Sequence, residues 1–203
     1  MDVTTAETTA PGRSRQATAA RLRASAVRLF AERGLHGVTS HEIARDAGVA
    51  AGTFYLHYKD KRELFREILF SSVEDLRTRV RHATAEADSV EQAVRARAEA
   101  VVGYAEQERD LVAILFRRDT EAADLEASVL RHMADGMTER LRGERDRGEF
   151  SPHLRPEVAA QALLGMTVRL LDWWCDDPRR ATRDEIIETL VRLQLEGAHP
   201  RSI

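Results

Sequence analysis

The sequence predicts an all-α protein of about nine helices. Three observations carry this. Ala, Leu, Arg and Glu dominate the 203 residues and only five are proline, a mixture that favours helix. Apolar residues recur at three- and four-residue spacing along nearly the whole chain. No segment shows the strict alternation of a half-buried strand, and no internal repeat is visible.

The elements follow in order. Residues 1–12 read as a loose polar tail ended by Pro11-Gly12. A helix over 15–33 places Leu22, Ala26, Leu29 and Phe30 on one face, and Gly34 stops it. Thr39 followed by Glu42 is a capping box: the hydroxyl takes an orphan backbone N–H and the carboxylate reaches back to the cap. It opens a short helix over 40–47, with Ile43, Ala44 and Ala47 facing inward. Gly48-Val49 is a tight turn, and a third helix covers 51–57. The fourth starts near Asp60 or Lys61 and is long, with Leu64, Phe65, Ile68, Leu69, Ser72, Val73, Leu76 and Val80 on one face.

Ser89 and Gln92 form a second capping-box pair, opening a helix whose inward positions are Val90, Ala93, Val94, Arg97, Ala98, Val101, Val102 and Ala105. A short apolar segment lies at 110–116. Leu125, Val129, Met133, Met137 and Leu141 mark the next helix, ended near Gly148. Pro156 suits a helical first turn, and that helix runs to about Cys175 before Asp177-Pro178 breaks it. Thr182 and Glu185 are a third capping-box pair, starting a last helix through about Glu196.

Composition narrows the function. No apolar run is long enough for a membrane span, and the N-terminal stretch has no apolar signal region. The single cysteine, Cys175, excludes an internal disulfide framework and a Cys-based zinc site; a reducing cytoplasm is the simplest compartment. No cofactor or metal is expected. Glu-x-x-His, which a di-iron bundle needs twice, occurs once, at Glu196 and His199. There is no G-x-S-x-G, P-loop or dinucleotide loop, so no enzyme is expected. Charge is uneven: residues 13–62 carry +6, the first twelve −2 and residues 63–203 carry −7. A basic segment on an acidic body points to a polyanion at one end.

Two short helices joined by Ala47-Gly48-Val49 behind a longer one form a minimal helix-turn-helix. Gly48 supplies the left-handed backbone that costs least without a Cβ. The second short helix would enter a DNA major groove. Its outer side would carry Thr53, Tyr55 and His57, groups able to bond phosphates or base edges, with Gly52 permitting close approach. Phe54 and Tyr58 would hold it to the core. Lys61 is placed to anchor phosphate, and Arg13 and Arg15 form a basic arm ahead of the first helix.

The stretch GLHGVTSHEIARDAGVAAGTFYLHYKDKRELF resembles the DNA-binding domain of the TetR (tetracycline-repressor) family of bacterial transcriptional regulators. Phe30, Gly34, Thr39, Ile43, Ala44, Ala47-Gly48-Val49, Gly52-Thr53, Tyr55, Tyr58, Lys61 and Leu64 fall at family positions. The resemblance implies a helix-turn-helix domain over 13–60, a helical regulatory and dimerisation domain over 61–203, and a double-stranded DNA operator as partner. By position it implies DNA contacts from Ser40, His41, Ala51, Gly52, Thr53, Tyr55, His57 and Lys61. Ala50 departs from the Ser or Thr usual there, and Ala cannot cap the recognition helix. Ala51 stands where a long polar base reader is common, so shape readout gains weight.

The resemblance further implies a homodimer built on the last two long helices, and a pocket for a small-molecule effector among the central helices. Leu163, Gly165 and Leu170 on one helix, with Ile186, Leu190 and Leu193 on the other, are the candidate interface. Candidate pocket residues are Tyr104, Phe116, Met133, Met137, Met166, Arg169, Trp173 and Trp174, plain core packing being the other reading of each. Arg169 has two readings, a seat for an anionic head group or a partner for Asp172 or Trp173. The expected function is a repressor released from a palindromic operator by an apolar or amphipathic molecule. The alternative is a regulator controlled by a protein partner or without a ligand.

Overall fold

A computed structural model describes residues 10–116 and 121–198. Among them are nine α-helices and no strand: α1 (Ala10–Arg33), α2 (Ser40–Asp46), α3 (Ala51–Tyr55), α4 (Lys61–Ala83), α5 (Val90–Gln107), α6 (Arg109–Phe116), α7 (Ala123–Asp146), α8 (Pro156–Asp176) and α9 (Arg183–Ala198). A single 3-10 turn, Pro178–Arg180, sits between α8 and α9.

The chain divides into two compact units. One extends to Ile68 and takes in Glu121; the other holds the residues from Leu69 and those from Ala122 onward. The division falls inside α4 rather than at its start. Leu64, Phe65 and Ile68 explain this: all are buried, and the Phe65 ring meets Phe30 of α1 edge-on at 5.1 Å. The first two turns of α4 therefore complete the first core.

In that unit Leu22, Ala26 and Phe30 of α1, Ile43 and Ala44 of α2 and Phe54 of α3 are fully buried. Two helix starts follow from side-chain caps. Thr39 Oγ1 accepts from Glu42 N at 3.2 Å and Thr39 N donates to Glu42 Oε2 at 2.8 Å, a complete capping box for α2. Arg33 and Thr39 together hold the Glu42 carboxyl down to about 2. At α4, Glu63 N donates to Asp60 Oδ1 and Lys59 N to Glu63 Oε2. α3 begins at Ala50 with no side-chain cap. Gly48 between α2 and α3 has φ +67°, and a Cβ there would meet nothing within 4 Å, so conformation alone selects glycine.

Two boundaries differ from expectation. α1 begins at Ala10, so Pro11-Gly12 lies in its first turn instead of closing a tail; proline fits there because its missing N–H would have had no intrahelical partner. α3 ends at Tyr55, leaving His57 beyond it.

In the second unit α5 packs on α9 through Val94, Ala98, Val102, Ile186, Ile187, Leu190 and Val191. α7 packs on α8, where Leu141, Phe150, Ala159 and Ala160 form a further cluster. Thr182 and Glu185 form the complete third box, at 2.7 and 3.3 Å. The second is half made: Ser89 Oγ accepts from Gln92 N, but Gln92 Oε1 accepts from Asp88 N instead of Ser89 N. Gly148 ends α7 in the left-handed region, at φ +75°.

Candidate nucleic-acid interface and ligand cavity

The first unit sorts the side chains of α3 by depth. Phe54 is fully buried and Tyr58 nearly so. Their rings lie 5.7 Å apart, and the Tyr58 hydroxyl donates to Glu67 Oε1 at 3.2 Å. Burial, with Glu67 alongside, pushes that phenol up to about 12, so it stays a neutral donor. These contacts fix the helix while its other side is presented outward. Tyr55 is 52% exposed, Gly52 is exposed, and Ala51, Thr53 and His57 are partly so. No atom lies within 4 Å of the Cβ position at Gly52, so a partner's backbone can come close there. On α2, His41 is exposed, Ser40 is half-buried, and the His41 ring meets Tyr55 edge-on at 6.3 Å. This brings Ser40, His41, Ala51, Gly52, Thr53, Tyr55 and His57 into one neighbourhood.

The basic residues depart from the simple picture. Lys61 is not an idle surface charge: Nζ donates to the Leu35 carbonyl at 2.8 Å and pairs with Glu121 at 3.3 Å. The His36 ring also approaches Glu121, at 3.5 Å. Arg15 lies within α1, not in an arm ahead of it, and its Nη2 donates to the Leu56 carbonyl at 3.3 Å. It thereby satisfies a carbonyl at the C-terminal end of α3, where a cation is favoured. Arg13 is in α1, and its side chain lies outside the described residues. Leu56, 72% exposed between Tyr55 and His57, is a surface feature that sequence reading missed; no period marks one leucine as outward.

The second unit holds a cavity of about 400 Å³ lined by α4, α5, α6, α7 and α8. Of the candidate pocket residues, Tyr104, Met133 and Met137 line it. Met166 packs instead against the core shared by α5, α8 and α9. Trp174 is buried there too, its indole N–H donating to the Ala181 carbonyl at 2.9 Å. Trp173 lies partly exposed under the Arg180 guanidinium. Arg169 is exposed and pairs with Asp172 at 2.6 Å, the second of its two readings, and it is not among the lining of this cavity. The side chain of Phe116 lies outside the described residues.

The most buried charge in the cavity lining is Arg97, read from the sequence only as an inward position of α5. Its side chain is 14% exposed, and its Nη2 reaches Glu144 Oε1 at 3.4 Å. Arg140 reaches the same oxygen at 2.5 Å. Burial, reinforced by Arg140 and opposed by Glu144, pulls Arg97 down to about 10. The signal was an arginine inside an otherwise apolar helical stripe.

The candidate interface residues divide as well. Ile186 and Leu190 are buried against α5 of their own chain, so they are not a stripe for a partner. A helix packed on one side has spent that side. Leu163 packs toward α7 and Leu170 toward α5 and α9. Gly165 and Leu193 are exposed. With them Val158, Ala162 and Trp173 of α8 and Thr189 of α9 are exposed at helical spacing.

A basic helix-turn-helix unit joined to an all-helical unit with its own cavity defines the class: a DNA-binding regulator of transcription. The family of bacterial regulatory proteins named tetR matches residues 22–68. The HTH-type transcriptional activator FasR of Mycolicibacterium smegmatis is 25% identical over 173 residues, 85% of this chain and 79% of that one. The fatty acid degradation regulator FadR from Bacillus halodurans superposes with a TM-score of 0.74 at 24% identity, covering 88% of this chain and 95% of its own. FadR from Bacillus subtilis, in complex with stearoyl-CoA, gives 0.75 at 19% identity, with 89% and 99% covered. Residues 22–68 thus match the DNA-binding segment of the TetR family, and over most of its length the chain is similar to regulators of transcription. Among the described residues no helix is long and apolar enough to cross a membrane, and no cluster of His, Cys, Asp or Glu is suited to a metal.

Proposed function

We propose that the protein is a cytoplasmic, non-enzymatic homodimeric repressor that leaves a palindromic operator when an apolar or amphipathic molecule fills its cavity. The observation that carries this reading is the course of α4. The helix starts at Lys61, beside the candidate DNA-contacting residues, and its later turns line the cavity through Val73, Leu76 and Val80. A ligand that needs α4 displaced shifts the reading helix with it. The cavity also favours a small-molecule effector over control by a protein partner alone, because it is largely apolar and of ligand size.

In this reading Thr53, Tyr55 and His57 meet base edges or phosphates, with Ser40 and His41 beside them. Two copies present two α3 helices to half-sites about 34–36 Å apart. The exposed faces of α8 and α9, with Val158, Gly165, Trp173 and Leu193, pair the copies. The stearoyl-CoA bound to the Bacillus subtilis regulator supports an amphipathic occupant. Effector and operator would oppose each other by about 1–3 kcal/mol.

The test maps binding sites across the genome of origin, then measures anisotropy of the recovered operator with and without apolar and amphipathic compounds. Palindromic sites, a dimer in solution and release by a compound are the expected results. DNA binding that no cavity ligand alters would overturn the ligand-released reading. An increase in transcription from the mapped promoter with the bound protein would replace repressor by activator, the role named for FasR.

A further inference from the structure

The cavity in the second unit has a one-sided charge. Its described lining includes four charged residues, Arg77, Arg81, Arg97 and Arg140, and no acidic one; most of the rest is apolar. Arg77 and Arg81 belong to the exposed rim: Arg77 is half exposed and paired with Glu74, and Arg81 is exposed. Arg97 and Arg140 lie deeper, sharing one oxygen of Glu144. Two guanidiniums against one carboxylate leave the interior with a net positive charge. Burying such a charge without a counter-ion is unfavourable.

The hydrogen bonds identify where that charge is available. Arg97 Nε and Nη1 are buried and have no protein acceptor. Its bond from Nη2 is, at 3.4 Å, beyond the usual range for N–H···O. The other polar groups of the lining interior are engaged. The Tyr104 hydroxyl donates to the Ser72 carbonyl at 3.2 Å, and Thr167 Oγ1 donates to Leu163 O at 2.8 Å. Arg97 thus lines the cavity with a guanidinium that its own protein satisfies only in part, and its side chain keeps 14% of its surface open. Glu144 Oε2 also has no partner, but Glu144 is not among the lining residues. The geometry thus favours an anionic over a cationic head group.

Resting on the reading of this cavity as the effector site, we propose that its ligand is a mono-anionic amphipath of the alkyl carboxylate class, its carboxylate received by Arg97 beside Arg140 and its chain held by Val73, Leu76, Val101, Leu164 and Leu171. The volume suits this class. At about 30 Å³ per water-sized group, 400 Å³ holds roughly a dozen non-hydrogen atoms, which is the size of decanoate. The flexible Met133 and Met137 let the apolar wall adapt to the chain.

Calorimetric titration of the full chain with decanoate, decan-1-ol and decyltrimethylammonium tests the head group. Decanoate is expected to bind about tenfold or more tightly than the alcohol, as one charge-assisted contact implies, and the ammonium most weakly. Arg97→Met should bring decanoate and decanol within about threefold of each other. Arg97→Lys, which keeps charge and folding with less disturbance, should weaken decanoate severalfold and leave decanol unchanged. An alcohol that binds as well as decanoate, an ammonium that binds best, or decanoate affinity indifferent to Arg97→Lys overturns the proposal. Operator anisotropy on the same samples separates the two readings. Decanoate bound without operator release overturns ligand control and leaves the head-group assignment standing. Operator bound with no affinity for any of the three probes overturns the head-group assignment and leaves DNA binding standing.

Discussion

Gly52→Ala separates the stability of the reading helix from its use. Residue 52 lies in the first turn of α3, is exposed, and has no positive φ. A methyl group built there meets nothing within 4 Å. The free protein therefore has no steric reason to resist alanine. It gains through the lower entropy of the unfolded chain and the better helix propensity, about 0.4–1 kcal/mol. For a chain of this length that is a rise in melting temperature of about 1–4 °C. On the operator the sign reverses. If the space above Gly52 is where the DNA backbone approaches, the methyl group displaces one or two contacts in each half-site. A loss of about 1–3 kcal/mol per half-site follows, about five- to 150-fold for each. Thermal melting and fluorescence anisotropy at fixed salt read the two effects on one preparation. A variant that is more stable and binds the operator as well as the parent would refute the assignment of Gly52 to the DNA face. A destabilised variant would refute the claim that the site is open and unstrained.

Three other outcomes follow from the same geometry. Glu121→Gln removes the carboxylate that holds Lys61 at 3.3 Å, so operator affinity should rise at low salt and the salt slope steepen by about one unit per subunit; an unchanged slope removes Lys61 from the phosphate contacts. Glu42 is lowered from its ordinary 4.5 to about 2, so its contribution to stability is present above pH 4.5 and lost as pH falls toward 2. Urea melts should show that loss in the parent and its absence in Glu42→Gln. Leu141→Ala, at a fully buried position beside Phe150 and Ala160, should cost about 2–5 kcal/mol, measured by denaturant midpoint; a loss below 1 would mean that α7 and α8 close over the gap.

Helix order was legible because local chemistry writes it. The Thr39–Glu42 and Thr182–Glu185 boxes start α2 and α9 in the structure as their spacing requires, and Gly34, Gly48 and Gly148 adopt the left-handed backbone at helix ends. The outward side of α3 was legible too, since Phe54 and Tyr58 had to be its anchors. What the sequence did not disclose is where each apolar stripe is spent. Ile186 and Leu190 carry the same spacing whether they meet α5 or a second copy, and only the packing of α9 on α5 decides. Arg97 and Arg169 pose the same problem in reverse. Each is an arginine within an apolar stretch, but rotation of the helix turns one inward and the other outward.

The two lysines gain a practical meaning from their surroundings. They are the sequence's only side-chain amines, since every other basic residue of the 31 is arginine. Lys59 is exposed, whereas Lys61 is clasped by a carbonyl and a carboxylate. Of these two amines, an amine-directed dye would modify Lys59 before Lys61. If operator binds over that corner, its presence should slow the labelling of Lys59, and an unchanged rate would place Lys59 off the DNA face.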